Sequence, residues 1–583
     1  MGYKIRIESG DWLKNAGIVG FVSVLRKNYE IDTNSIMKGD YLEFDSSYLE
    51  NFEELYFKAL IEKNEKSLSW YKIINYDSAL SNILNKEKKT EKDLDTLNDI
   101  IDDLKSKSKL NSNSYKSAYL LLNDNFLEEQ EKKLSKIKLK KKDNIDDFSS
   151  EINEQINIIF EIIEYLKKPE VKKIIAAKNV MYNIIQPFWT NISFLLKTNN
   201  KGHMYELYKN DFIKPILSYA ESKEEKNKKY KYNCFTCDNK IEKLSKPFSF
   251  DLTWLVKVGV DMGRKSSHFW NLNGDAYICP VCNLIYSCIP LGFTIMKNKG
   301  IFINQNSSVK ILVESNTLPT QGENFENIEQ MSYFNILNSM EHYNIENLDK
   351  EFDNIQVVKI DGNNSSRPYS FNTLSPKIMK TLYYNRKILE TLIKTRVKIT
   401  DKYYINLYSE VIKRIYEGRN LLDLIDTLLY LNLNNKFKAT GIIYNVLKIN
   451  NYIWRGKDMV LDNDKKLDTK VNDYKSRKTK TTVFREYGLK LRMAYINKDI
   501  DNKIGGISYR ILSALKTKDS AKFMDTVLNA YMYIKMQVPK DLSDLLVNDM
   551  TLQQLGYAFV IGLQGADNIK ENMNREGEIQ NEK

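Results

Sequence analysis

Apolar positions recur at helical spacing over most of this chain, with short alternating stretches at the start and past the middle. Tyr3 to Ile7 reads as a strand with Ile5 and Ile7 on one face, and Ser9 or Asp11 stands ready to cap a helix behind it. From Trp12 to Leu25, Trp12, Ala16, Val19 and Ser23 fall on one stripe. Gly17 and Gly20 there permit another backbone to come close, which predicts a buried helix. Residues from about Tyr48 to Phe212 are mostly helix-like, interrupted by a polar insertion near Lys86 to Ser108, and Pro187 and Pro215 read as breaks. Ile301 to Val313 and Ile355 to Ile360 carry β-type content. Ile378 to Leu447 returns to helix, with Leu421, Leu422, Ile425, Leu428 and Leu429 as core.

The C-terminal pattern is the clearest. Phe523, Met524, Val527, Leu528 and Tyr531 recur at three and four residues behind Asp519 as a cap, and Pro539 marks the stop. Leu542, Leu545, Leu546, then Leu552, Leu555, Phe559, Val560 and Leu563, complete a small bundle with a helix around Ile511 to Leu515. The expected fold class is α+β, mostly helical and multidomain. Its parts are an N-terminal mixed, mainly helical domain (1–230) with a polar insertion near 86–142, a cysteine-bearing region (231–290), a β-rich segment (291–380), a helical segment (381–470), a C-terminal bundle (471–565) and a disordered tail (566–583).

Length and composition agree with several packed cores: 583 residues, 42% apolar and 11% aromatic. No apolar run long enough to cross a bilayer and no charged-then-apolar leader at Met1 are found, so the expected location is cytoplasmic, without a membrane partner. A balance of 88 basic against 76 acidic residues gives +12, which suits a polyanionic partner, although abundant Lys, Asn and Ile partly reflect biased composition. Placement says more than the sum. Glu131 to Lys142 holds seven lysines and one glutamate and reads as a solvated helix face. Tyr474 to Arg492 sets Lys475, Arg477, Lys478, Lys480, Arg485, Lys490 and Arg492 against Glu486 alone, with Tyr474, Phe484 and Tyr487 threaded between. Cations that displace counterions and rings that stack on bases describe a nucleic-acid track, and an ordinary exposed loop is the plain alternative.

Four of the five cysteines form two Cys-x-x-Cys knuckles, Cys234/Cys237 and Cys279/Cys282, separated by 41 residues. Two thiolate pairs of this spacing complete one tetrahedral site, and the long separation suggests two hairpins tied together around an insertion. With all four positions filled by protein, a structural Zn2+ is favoured over a catalytic one. Redox ranks next, since neither knuckle sits at a helix start in a βαβ unit, and an iron-sulfur cluster third. Cys288 reads as a buried small hydrophobe, and His268 as an unneeded substitute ligand.

Catalytic patterns are missing. His203, His268 and His342 stand far apart without ligand-spaced partners, no Walker loop or Gly-x-Ser-x-Gly is present, and the aspartates form no recognisable two-metal pattern, so a binding role is expected over a catalytic one. The loop Asp361-Gly-Asn-Asn-Ser-Ser-Arg-Pro368 concentrates side chains able to read base edges, though the same residues make ordinary turns.

Gly10-Asp-Trp-Leu-Lys-Asn-Ala-Gly-Ile-Val-Gly20, the paired knuckles and the closing Ala558-Phe-Val-Ile-Gly-Leu563 together resemble the CRISPR-associated CXXC-CXXC proteins, large subunits of type I-B Cascade effectors. The resemblance spans about residues 1 to 565. It implies a subunit that sits at the 5′ end of the CRISPR RNA, recognises the protospacer-adjacent motif in target double-stranded DNA and helps open the duplex. Its implied partners are the Cascade backbone and small subunits and a recruited helicase-nuclease, which does the cutting. In related systems a product like the small subunit arises from an internal start, and Met459 and Met493 are the candidates here. The candidate motif reader is Asn363, Asn364, Ser365, Ser366 and Arg367, with Arg264, Lys265, Ser266 and Ser267 second. Lys475, Arg477, Lys478 and Lys480 are the candidate backbone contacts. The other readings are a zinc-stabilised RNA-processing enzyme or nuclease, and a protein-interaction scaffold.

Overall fold

The computed structural model describes residues 3–139, 144–199, 202–223, 230–242, 254, 257–258, 277–296, 298–305, 308–317, 336, 355–362, 368–393, 395–400, 403–455, 479–546 and 549–565. Two compact units follow one another along the chain, residues 1–374 and 375–583. Helices dominate both, with small antiparallel sheets between them, so the architecture is α+β and mostly helical. Among the described residues no helix is long and apolar enough to cross a membrane. The tail 566–583, expected to be disordered, lies outside the described residues.

The first unit opens with a strand, Lys4–Glu8, paired antiparallel to Tyr41–Asp45. Register opposes Ile5 to Phe44 and Ile7 to Leu42, and because side chains alternate faces, all four are buried on one side. Asp11 then caps the helix Trp12–Leu25, its carboxylate accepting from the amides of Leu13 (2.8 Å) and Lys14 (3.1 Å). This helix is surrounded on all sides: every residue is buried except Trp12 and Ser23, two members of the expected stripe. Trp12 instead packs edge-on against Tyr369 and Phe371.

Several elements differ from the sequence pattern. The expected polar interruption contains a full helix, Glu91–Lys105, opened by a Thr90/Asp93 capping box. Its Leu94, Leu97, Ile100, Ile101 and Leu104 join a second core with Trp70, Ile159 and Ile163. Charged residues on the outer face hid this apolar stripe. Pro215 does not break its helix, because a π-helical turn, Lys209–Ile213, precedes Lys214–Lys223 and changes the hydrogen-bond register where the proline lacks an N–H. The stretch Ile301 to Val313 is a strand only to Asn304, after which Ser308 caps a helix, Val309–Ser315. A short hairpin, Arg396–Lys398 with Tyr404–Asn406, interrupts the expected helices between Ile378 and Leu447.

A four-stranded antiparallel sheet closes the first unit in the order Thr294–Met296, Lys299–Asn304, Ile355–Asp361, Tyr369–Leu374. A polar hub at fully buried Asn179 links separate helices. Its carbonyl oxygen accepts from Ser69 Oγ (2.7 Å) and Trp70 N (2.9 Å), and its amide nitrogen donates to Ser114 Oγ (2.7 Å). Satisfying each of these buried groups specifies one arrangement of the helices.

In the second unit, Asp519 caps Ser520–Tyr533 by accepting from Lys522 N (2.9 Å), as the pattern predicts. The tightest packing is between Lys480–Ile496 and Asp549–Gln564. A Cβ added at Gly488 would lie 1.9 Å from Phe559 O, and one at Gly562 would lie 1.9 Å from Arg485 O. The two backbones therefore touch, and only glycine fits at either crossing point. Gly562→Leu should destabilise the second unit by roughly 1–3 kcal/mol or more through overpacking. Gly506→Ala, where nothing lies within 4 Å of the added carbon, should stabilise it by about 0.5–1 kcal/mol. Urea unfolding of the two variants checks the pair, and equal midpoints would contradict the packing.

Candidate metal centre

The first knuckle is the turn of a hairpin, Tyr230–Asn233 with Lys240–Glu242. Asp238 adopts a left-handed conformation (φ 54°), and its amide donates to Cys234 O (2.9 Å), closing the turn. Cys234 N donates to Asn239 O (2.8 Å), and Phe235 N to Tyr277 O (2.7 Å), which draws the residue two before the second knuckle alongside the first.

The second knuckle is not a hairpin. Cys279 caps the helix Pro280–Ser287, with Pro280 at its first position, and its sulfur accepts from Cys282 N at 3.4 Å. Proline's fixed φ and missing N–H suit the first helical position, so the second Cys-x-x-Cys sits at a helix N-terminus and not in the expected second hairpin. The long insertion thus separates a hairpin from a helix.

All four Sγ atoms lie within 4.8 Å of one another, with Cys237 and Cys279 3.7 Å apart. A tetrahedron of sulfurs about 2.3 Å from a zinc ion has edges of about 3.8 Å, so these spacings suit a shared ion. They are far beyond an S–S bond, and all five cysteines are free. Cys279 N donates to Cys234 Sγ (3.2 Å), joining the two knuckles by an amide–sulfur bond of the kind that stabilises thiolates. Cys234, Cys279 and Cys282 are buried and Cys237 is partly exposed. Hydrogen bonds from the other three sulfurs hold Cys234 below the ordinary thiol range. Contacts with the same group, with burial added, push Cys279 and Cys282 well above it. Four adjacent sulfurs, three of them buried, cannot all ionise beside one another unless a cation compensates them. The donor set fits a metal ion. Among the described residues it is the one group of three or more His, Cys, Asp or Glu side chains able to hold one.

Residues 227–294 match the family model described as CRISPR-associated protein (Cas_CXXC_CXXC). The match supports a CRISPR-associated protein. It takes in both knuckles, the hairpin and the helix Pro280–Ser287. No curated protein and no solved structure matches the chain.

The centre is locked to the core by backbone contact. A Cβ at Gly17 would lie 2.3 Å from Ile285 O, one at Gly20 2.0 Å from Cys288 O, and one at Gly292 2.0 Å from Ala16 O. The opening helix thereby lies directly on the helix that carries Cys279 and Cys282. Tyr56 Oη donates to Ser287 O (2.8 Å), and Tyr208 Oη shares a hydrogen bond with Ser287 Oγ (2.7 Å). Cys288 is fully buried in this layer, and burial raises its thiol to about 12, which keeps it protonated and unreactive. On the outer side, a cleft of about 440 Å³ is bordered by Lys4, Arg6, Lys14, Cys237, Cys279 and Cys282. Four thiolates around a divalent ion carry a net charge of −2, and buried Lys14 supplies positive charge in the same cleft.

The nucleic-acid candidates fall largely outside this view. Asn363, Asn364, Ser365, Ser366 and Arg367, Arg264, Lys265, Ser266 and Ser267, and Lys475, Arg477 and Lys478 all lie outside the described residues, as do His268 and His342. Lys480 is exposed at the first position of the helix Lys480–Ile496. The strands that flank residues 363–367 pair as antiparallel neighbours up to Ile360 and Tyr369, and Gly362 N donates to Asn298 O (2.6 Å).

Cys234→Ser should lower bound metal below one ion per chain and lower the melting temperature of the full chain together, whereas Cys288→Ala should leave metal content unchanged. Elemental analysis beside a thermal melt checks both, and metal loss with an unchanged melt would contradict a structural role. Because thiols raised in the metal-free protein must lose protons on binding, affinity should rise with pH and uptake should release protons into weak buffer.

Proposed function

We propose that this chain is the large subunit of a type I-B CRISPR RNA-guided surveillance complex. It acts as a non-catalytic platform that holds the 5′ end of the guide RNA, recognises the protospacer-adjacent motif in target duplex DNA, promotes R-loop formation and recruits a helicase-nuclease. The observation that carries this reading is the family match over 227–294, which coincides with the four converging cysteines. The glycine-lined seat of the opening helix on the second knuckle adds to it, because it joins two of the motifs that carry the sequence resemblance.

In this reading Cys234, Cys237, Cys279 and Cys282 hold a structural zinc. When bound, the ion supplies cross-linking between hairpin and helix, and it has no open position for substrate. The chain's own residues do the rest. Cations fix the phosphate backbone, a few polar side chains read a short motif, and pairing with the guide reads the remainder of the target. Asn363 to Arg367 remain the proposed reader, and Lys475, Arg477, Lys478 and Lys480 the proposed backbone contacts.

An internally started product fits one candidate methionine better. Met493 falls inside the helix Lys480–Ile496, so starting there removes Phe484, Gly488 and Leu491, the last two within or beside the closest packed crossing of the bundle. Met459 precedes the whole helix. A C-terminally tagged chain expressed from its natural gene should yield a second product beginning at Met459, identified by intact mass, and a product beginning at Met493 would contradict the packing argument.

Expression with the backbone subunits of the same locus and a repeat array should copurify the chain with a guide RNA of uniform length. A chain that elutes alone from those subunits, or that turns over labelled RNA or DNA with divalent metal, would overturn the assignment.

A further inference from the structure

The first unit contains a second, larger cleft, about 1100 Å³. Its lining comes from four separate stretches, residues 62–72, 107–114, 182–188 and 295–299, together with Ile360 and Gly362. Six lysines line it: Lys63, Lys66, Lys72, Lys107, Lys109 and Lys299. Against them stand two acids, Glu62 and Glu65, so the lining carries six minus two, a formal +4. Both acids are engaged from outside the cleft, Glu62 by Lys27 at 2.6 Å and Glu65 by Lys172 at 3.7 Å.

The lysines divide by role. Lys63 Nζ donates to Leu291 O (2.6 Å) and Lys109 pairs with Asp103 (2.9 Å), so these two brace the walls. Lys66, Lys72, Lys107 and Lys299 have exposed side chains. Between them the lining offers amides, Asn113, Asn183 and Gln186, all exposed, and the half-buried ring of Tyr182. Cations spaced along a groove, amides able to pair with base edges and one ring are the components of a site for an unpaired strand. Two of the lining stretches are tied together: buried Asn179 hydrogen-bonds to both Ser69 and Ser114. A duplex is a convex cylinder that needs an open surface. A cleft of this volume, slightly above the range of about 300–1,000 Å³ usual for pockets, admits single nucleotides.

We infer that this cleft binds a short single-stranded nucleic-acid segment through its phosphates, with Lys66, Lys72, Lys107 and Lys299 as the cationic contacts. The inference rests on the proposed nucleic-acid role of the chain and adds a site that none of the basic runs in the sequence marks. Gly362, the last described residue before the proposed reading loop 363–367, also lines this cleft.

The test uses the full chain and fluorescently labelled short oligonucleotides: oligo-dT, oligo-U, and a duplex of the same length, titrated at several salt concentrations. The variant Lys66→Glu/Lys72→Glu/Lys107→Glu is compared with Lys88→Glu/Lys92→Glu/Lys132→Glu, which makes the same charge change at exposed positions outside the cleft. The cleft variant should lose at least tenfold in single-strand affinity relative to the control variant. Its log–log salt slope should flatten by about 2, at about 0.7 per lost contact. Tighter binding of oligo-U assigns the site to RNA, and tighter binding of oligo-dT assigns it to an opened DNA strand. Equal affinities for the two triple variants, or duplex bound more tightly than either single strand, would overturn the inference. Matched melting curves of the two variants guard against a folding artefact. Copurification with the guide complex tests the wider reading separately: cleft variants that still assemble but bind single strands normally refute the cleft alone.

Discussion

The first unit depends on a contact made chiefly by main chain: the backbone of the helix Trp12–Leu25 lying against the backbone of Pro280–Ser287 and the turn behind it. At Gly17, Gly20 and Gly292 the distances leave no room for a single methyl group. Close approach of this kind puts Cys279 and Cys282 on a rigid base, since the helix bearing them cannot rotate or slide without driving a carbonyl into a neighbour. The hairpin bearing Cys234 and Cys237 then has a fixed partner to close upon. A cysteine cluster made from one hairpin and one buried helix joins the hairpin to the core, where Tyr56 and Tyr208 hydrogen-bond to Ser287 of the same helix.

The same device recurs in the second unit, where Gly488 and Gly562 let Lys480–Ile496 meet Asp549–Gln564. It explains why the sequence motifs at the two ends of the chain are rich in glycine within otherwise apolar helices. Glycine in a helix interior costs about 0.5–1 kcal/mol relative to alanine, and a position that keeps it needs the space. Tight contacts offset that cost through dispersion and burial over the entire crossing.

This also accounts for what could be read in advance. Periodicity and caps are local, so the Asp519-capped helix, the close approach at Gly17 and Gly20, and the convergence of the cysteine pairs were legible. The helix Glu91–Lys105 was obscured because its solvent face is densely charged, although Leu94, Leu97, Ile100, Ile101 and Leu104 had the right spacing. The π-helical turn ahead of Pro215 has no sequence signature to set against proline's usual meaning. Pro280 behind Cys279 was an available signal for a helical second knuckle, since proline favours the first helical position. The lysine cleft could not be read as a site: its residues are spread from Lys63 to Lys299, and only tertiary packing assembles them.

The cysteine centre and the lysine cleft are separate parts of the first unit. The cysteines are largely buried, bonded to backbone amides and seated on the core, while the exposed cations lie on other elements of the same unit. X-ray absorption at the metal edge of the purified full chain tests the central point most directly. The account predicts one zinc per chain with four sulfur neighbours at about 2.3 Å. Nitrogen or oxygen in the first coordination sphere, or a metal-free chain with Cys234, Cys237, Cys279 and Cys282 paired as disulfides, would contradict it.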